Sequence, residues 1–260
     1  MRFALFLSSL LFYSFATNAT RPIVSLYAAD TLHASPFFIG ILVSAYALFP
    51  MLFAMSIGKL LDRYGARVVA ILGGCGMLLS LLTPVFQPSL ISILFSQLFA
   101  GFCNICLIIS YQKTVGNRVG DRDNNVMWLT LIFSFAEFLG PLMSGFTYQF
   151  LGFRWTLIIS ALSVLLGIII GSVISKDHWK GGVAEYKSKK TNFMESLGLL
   201  KSANVRKVLL LSAVILYTKD LLVAYFPVYG NSIGLSASMI GLILSCASEW
   251  RSLFDFVNLG

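Results

Sequence analysis

Long apolar runs alternate with short polar segments along most of the chain. Residues 31–58 and 68–112 contain no Asp, Glu, Lys or Arg. As a single helix, residues 68–112 would extend roughly 68 Å at 1.5 Å per residue, about twice the ~30 Å hydrocarbon core of a bilayer. This segment must therefore fold back once, and Pro84 and Pro88 flank the predicted turn.

The same pattern predicts seven helices that are long enough to cross a membrane. Only a helix satisfies its backbone hydrogen bonds within one segment of lipid, so every apolar run is interpreted as α-helical. The apolar run 236–248 ends at Glu249 and is shorter than the roughly 20 residues that a spanning helix needs. The predicted spans lie near residues 3–28, 36–57, 68–86, 89–111, 126–149, 155–175 and 208–229.

Composition places the chain among integral membrane proteins. Apolar residues make up 57% of the sequence and charged residues 12%, about half the usual charged share of a soluble domain. Arg2 and the apolar stretch 3–16 also fit a cleaved signal peptide. We favour a retained first helix because the apolar character resumes after Pro22, and because the orientation deduced below requires that helix.

Basic residues occur in alternate loops, and such loops remain cytoplasmic. The loops after the first, third, fifth and seventh spans contain no basic residue apart from Arg154 at the start of the sixth. The pattern predicts a cytoplasmic N-terminus, and the net charge of +8 suits anionic lipid headgroups rather than nucleic acid. The basic loop residues are Lys59, Arg63, Arg67, Lys113, Arg118, Arg122, Lys176, Lys180, Lys187, Lys189, Lys190, Lys201, Arg206 and Lys207.

The charged segment between the second and third spans carries a recognisable motif. It reads Gly-Lys-Leu-Leu-Asp-Arg-Tyr-Gly-Ala-Arg over residues 58–67, and its pattern resembles the signature loop between helices 2 and 3 of major facilitator superfamily transporters. Ala66 stands where the family usually has a basic residue. The resemblance implies a conformational role for Gly58, Asp62, Arg63, Gly65 and Arg67. We predict that Asp62 is a latch rather than a solute ligand, and that Gly58 and Gly65 allow a tight turn.

An internal repeat predicts two related bundles. A shift of 201 positions aligns Ser35, Ile39, Gly40 and Ser44 with Ser236, Ile240, Gly241 and Ser245. The predicted fold is an all-α membrane protein with a complete six-helix bundle (1–175), a cytoplasmic linker (176–207) that contains a short surface helix, the start of a second bundle (208–248) and an atypical tail (249–260).

The charges in the tail suggest a truncated or frameshifted reading frame. Glu249, Arg251 and Asp255 fall where the repeat requires apolar residues. On that interpretation the 260-residue chain does not transport, and Lys219 and Asp220 face lipid without partners, at a cost of a few kcal/mol each. The alternative is a seven-helix design whose tail lies outside the membrane.

Polar residues inside the predicted spans are the candidates for a solute cavity or for proton coupling. Asn18 and Arg21 share one face of the first span with Ser14, and Gln97 and Asn104 share a face of the fourth. Structural pairing and snorkelling remain the alternative. Lys219 and Asp220 are adjacent, point about 100° apart and are not expected to pair with each other. The candidates are Asn18, Arg21, Gln97, Asn104, Glu137, Lys219 and Asp220.

The fifth span contains Gly140-Pro141 followed by Gly145. This segment is similar to the Gly-Pro motif of proton-coupled efflux members of the family, where Pro kinks the helix and Gly permits close packing. Two of the motif's glycines are replaced, by Ala136 and Ser144, and Gln97 stands where many proton-coupled members have Arg. The resemblance implies proton-coupled efflux, by antiport, of a small amphipathic compound.

Other functional classes find little support in the sequence. Cys103 and Cys106 have C-x-x-C spacing but no accompanying pair or His, so we predict small buried side chains rather than a metal site, and no cofactor. With no phosphate loop or nucleophile motif, we predict no enzyme activity. The prediction is a multi-pass carrier of the cell membrane whose partners are the bilayer, a small-molecule substrate and protons. The alternatives are an uptake carrier for a sugar or another metabolite, and a non-transporting membrane fragment or partner protein.

Overall fold

The computed structural model describes residues 2–118, 122–179 and 202–257, and within them nine helices. Seven are long and apolar enough to cross a membrane, which confirms the predicted number of spans. The helices are α1 (Arg2–Asp30), α2 (Pro36–Tyr64), α3 (Ala66–Phe86), α4 (Leu90–Gly116), α5 (Arg122–Leu151), α6 (Phe153–Val173), the short α7 (Lys176–Trp179), α8 (Ala203–Ser232) and α9 (Ala237–Val257).

The charged motif is mostly helical, so its prediction as a loop was wrong. α2 continues to Tyr64, and the chain turns only at Gly65, whose φ of 82° favours glycine. The helix continues because Ile57 and Leu61 remain buried, one turn apart on one face, while Lys59 and Arg63 point outward. Gly58 lies inside the helix, so a role for it in the turn was also wrong.

The packing of the first six helices centres on α1. It contacts α5 on one side and α6 on the other, while α4 packs against α2 and α3. The buried core includes a ring cluster at one end, where Phe6 and Trp179 both contact Tyr111. Trp179 lies on α7, and its carbonyl accepts a hydrogen bond from Thr114. The beginning of the predicted linker is therefore packed into the bundle.

The internal repeat is visible in local geometry. Ser35 caps α2 by accepting a hydrogen bond from the backbone N–H of Phe38, and Ser236 accepts one in the same way from Met239. Asp30 and Asn231 occupy equivalent positions before these caps, and they contact each other: the Asn231 amide donates to Oδ1 of Asp30 over 2.9 Å. Equivalent positions that touch must lie close to the axis relating the two repeats.

The two helices of the second repeat pack on the first bundle. α8 contacts α1, and α9 lies along α5 at very close range. A Cβ on Gly241 of α9 would lie 2.3 Å from the carbonyl oxygen of Pro141, so this contact excludes side chains. α9 also continues to Val257, beyond the predicted end of the apolar run at residue 248. Its segment from Glu249 was predicted as a tail separate from the helix, and the structure places it within α9.

The other boundaries differ from the predicted spans by two to five residues at several ends. α8 begins at Ala203, so residues 203–207, assigned to the linker, belong to a membrane-spanning helix. The predicted surface helix in the linker falls largely on residues 180–201, which lie outside the described residues.

Candidate solute site and its ion pairs

Two ion pairs connect α8 to the first bundle. The guanidinium of Arg21 on α1 donates to Oδ1 of Asp220 over 2.9 Å. Lys219, the preceding residue on α8, is in ion-pair contact with Glu137 on α5. The expectation that Lys219 and Asp220 would face lipid without partners was therefore wrong, and the expectation that they would not pair with each other is confirmed. Adjacent helical positions diverge by about 100°, which lets one helix present a cation and an anion to two neighbours.

A small polar cavity lies beside Arg21, where α1, α2, α4 and α8 meet. Its volume is about 10 Å³, room for a single water at most. Its polar lining residues are Arg21, Ser25, Tyr46 and Gln97, and the rest of its lining is aliphatic. The structure thus brings together two of the predicted cavity residues, Arg21 and Gln97, from different helices.

Tyr46 was not among the predicted site residues, yet it is central to this cavity. The Arg21 guanidinium lies 4.6 Å from the centre of its ring, within cation–π range. The Tyr46 hydroxyl is buried next to Asn104, but it makes no hydrogen bond of normal geometry within the described residues. A phenol in the middle of the charge-free run 31–58 was the sequence signal that could have identified it.

A larger apolar cleft opens between α5, α8 and α9. It has a volume of about 350 Å³, and the Glu137–Lys219 pair lies in its wall. The rest of the lining is mainly aliphatic, and Val223 borders both this cleft and the polar cavity. The remaining lining residues are Val214, Ile215, Thr218, Leu222, Leu244, Ala247 and Ser248.

The remaining predicted residues have packing roles in this conformation. The Asn18 side chain donates to the carbonyl of Ser14, one turn earlier on α1. A Cβ on Gly140 would lie 2.7 Å from that of Asn18, and one on Gly145 would lie 2.5 Å from the carbonyl oxygen of Ala237. The predicted close packing around Pro141 is therefore confirmed, with α1 at Gly140 and α9 at Gly145.

The motif of residues 58–67 connects the ends of several helices. It lies at the end of the bundle opposite the α1–α2 turn. Asp62 accepts a hydrogen bond from Lys113 of α4 over 2.5 Å. Arg67 of α3 donates to the carbonyl of Ser172 in the last turn of α6, where a cation is favoured by the helix dipole. Arg63 lies over the ring of Tyr64. The motif thus links α2 to α4 and α3 to α6.

Comparison with known proteins identifies the family. The sequence profile of the Major Facilitator Superfamily matches residues 6–248. The chain belongs to this superfamily. It is therefore a multi-pass membrane protein with the helical fold of the family, whose members are in general carriers rather than enzymes.

Individual relatives are distant and longer. The chain is 22% identical over 214 residues to an uncharacterized MFS-type transporter, YwoD, of Bacillus subtilis strain 168, covering 82% of this chain and 44% of that protein. It is 22% identical over 227 residues to the class B tetracycline resistance protein of Escherichia coli. This match covers 83% of this chain and 54% of that protein. The chain thus spans about half the length of these relatives.

A solved structure shows the same fold. The crystal structure of a D-xylose-proton symporter superposes with a TM-score of 0.67 over 98% of this chain and 67% of that one, at 11% sequence identity. At this identity the likeness concerns the fold alone.

Proposed function

We propose that this chain forms the first bundle and the beginning of the second bundle of a carrier that moves a small solute by alternating access. The bundles comprise residues 1–175 and the segment from Ala203, joined by a cytoplasmic linker. The solute would bind at the polar cavity and apolar cleft, and transport would be proton-coupled efflux of a small amphipathic compound. The resemblance of the α5 motif and the similarity to a tetracycline resistance protein support efflux.

The observation that carries the proposal is the uneven contact of α8 with the first bundle. Residues 203–218 of α8 are exposed throughout, whereas Lys219 to Gly230 are mostly buried or half-buried. The specific contacts also occur in this second part, where Tyr225 donates to the carbonyl of Pro36 and Asn231 donates to Asp30. The helices therefore converge near the α1–α2 turn and leave the other end open. With a cytoplasmic N-terminus, this is an inward-open arrangement.

The ion pairs supply a mechanism for changing that arrangement. Moving α8 away from α1 and α5 requires both pairs to separate, and an unpaired charge in the membrane is costly. A proton on Asp220 or on Glu137 would remove one charge of its pair and release Arg21 or Lys219. Among the described residues, Arg21 and Tyr46 face Asp220, and Lys219 faces Glu137.

Cross-linking tests the inward-open arrangement. In a background without the exposed Cys75 and Cys246, the pair Asp30→Cys with Asn231→Cys should cross-link efficiently in membranes, because the two native side chains are in contact. The matched pair Leu11→Cys with Leu210→Cys lies on the same two helices nearer their N-termini. It should cross-link several-fold less, because Leu210 is exposed. Equal cross-linking at both positions would contradict the proposal.

Labelling with a membrane-impermeant maleimide tests the orientation. Cysteines placed at His33 and Ser232, both exposed near the α1–α2 and α8–α9 turns, should react in intact cells. A cysteine at Ser175, exposed after α6, should react only after permeabilisation, because basic loops stay cytoplasmic. Reaction of the Ser175 site in intact cells would reverse the orientation.

The role of Asp62 as a latch stays a prediction. Its pairing with Lys113 is consistent with holding α2 against α4, although both side chains are partly exposed and such a pair contributes at most about 1 kcal/mol. An Asp62→Asn variant should change the rate of conformational exchange while leaving solute binding nearly intact.

A further inference from the structure

The polar cavity presents hydrogen-bond donors and one positive charge. Arg21 uses one terminal nitrogen for Asp220, which leaves further N–H groups of its planar guanidinium for another acceptor. Gln97 and Tyr46 add an amide and a phenol from two other helices. A cavity of this kind favours an anionic group with two or more acceptor oxygens, which a guanidinium binds in a forked geometry.

One of these polar groups, the Tyr46 hydroxyl, has no hydrogen-bond partner among the described residues. Gln97 is 6% exposed and lines the same cavity. The Tyr46 hydroxyl is fully buried, so bulk water does not reach it. Buried polar groups are nearly always hydrogen-bonded, so unpartnered groups around a cavity require a ligand or an ordered water. One ordered water fits in the cavity as described, and a ligand with several acceptor oxygens would replace it.

The apolar cleft adjoins this polar cavity at Val223. Its aliphatic walls and volume of about 350 Å³ suit the hydrocarbon part of a small molecule. We propose that the solute is a small amphipathic carboxylate, whose head group binds Arg21, Tyr46 and Gln97 and whose apolar part occupies the cleft between α5, α8 and α9. This inference rests on the proposed function and specifies its substrate class.

The carboxylate of the solute competes with Asp220. In the described conformation Asp220 forms an ion pair with Arg21, and the cavity is too small for a carboxylate. The head group therefore binds only when Asp220 leaves Arg21, and this exchange separates α8 from α1. Solute binding is thereby linked to release of one of the contacts that hold α8 against α1.

Binding of simple probes to the 260-residue chain in mild detergent tests this substrate class. The probes are octanoate, octylammonium and octanol, which share an eight-carbon chain and differ in head-group charge. Octanoate should raise the melting temperature most, whereas octanol reports the contribution of the apolar chain alone. Asp220→Asn should increase the affinity for octanoate, because it removes the charged competitor for Arg21.

Two neutral double variants locate the head group. Arg21→Gln with Asp220→Asn removes the first ion pair without leaving an unpaired charge, and it should weaken octanoate binding about tenfold, the loss expected for one charge-assisted interaction. Glu137→Gln with Lys219→Gln removes the second pair, which borders the cleft for the apolar part, and it should weaken octanoate binding less than the first double variant does if the head group lies at Arg21. Melting curves without probe establish that both variants are folded.

Three results would overturn the assignment. They are tighter binding of octylammonium than of octanoate, unchanged octanoate affinity without Arg21, and a greater loss in the Glu137/Lys219 variant than in the Arg21/Asp220 variant. Any of them, together with preserved cross-linking of positions 30 and 231, would reject the carboxylate while leaving the inward-open carrier intact. Loss of that cross-linking would instead reject the proposed function.

Discussion

Gly101→Ala should destabilise the chain by about 3 kcal/mol, because it inserts a methyl group where α4 touches the backbone of α2. A Cβ at this position would lie 2.0 Å from the carbonyl oxygen of Tyr46 and 2.9 Å from its carbonyl carbon. Neither atom can move without moving α2. The gain in helix propensity from Gly to Ala, about 1 kcal/mol, is too small to offset the overlap. Denaturant titration in mild detergent measures the difference.

Gly58→Ala is the matched control for this prediction. Gly58 also lies inside a membrane helix, but no atom lies within 4 Å of a Cβ built there. The substitution should therefore leave stability unchanged or raise it by up to about 1 kcal/mol. A Gly101→Ala variant as stable as Gly58→Ala would show that α2 and α4 are not in backbone contact at Tyr46.

The number of spans could be predicted from the sequence, because each predominantly apolar run is long enough to cross a bilayer as a helix. The ends of the helices could not be predicted in this way. Hydropathy indicates where the chain leaves the lipid, but a helix can continue beyond that point. Leu61 illustrates the difference: it is buried beside charged neighbours in a segment that hydropathy alone assigns to a loop. The end of α2 is marked instead by Gly65, which has a positive φ.

Only part of the candidate site could be predicted, because a local pattern does not show which residues of different helices meet. Unusual charges in apolar helices identify Arg21, Glu137, Lys219 and Asp220 as exceptional, but spacing within one helix does not reveal partners on another. The pairing of Arg21 with Asp220 depends on how α8 crosses α1, which no local pattern encodes. Tyr46 was missed because a single tyrosine in the charge-free run 31–58 is a weak signal, and its position beside Arg21 becomes visible only in the fold.

Lys219→Leu should lower the free energy of unfolding by about 3 kcal/mol, because it leaves the Glu137 carboxylate without its partner in an apolar cleft. The double variant Glu137→Leu with Lys219→Leu should recover most of that loss, since an apolar pair removes both charges at once. Lys207→Leu, which removes an exposed lysine from the first part of α8, should change stability by no more than about 0.5 kcal/mol.

A double-mutant cycle of Glu137 and Lys219 separates their interaction from the effect of each residue alone. A coupling energy of at least about 1 kcal/mol would show that the contact holds α8 against α5, and the proposed mechanism requires this contact to break. Independent, additive effects would mean that the Glu137–Lys219 pair does not hold α8, which also contacts α1, α2 and α9. In that case, protonation of Glu137 could not release α8, and the Arg21–Asp220 pair would be the one of the two ion pairs whose separation matters for its movement.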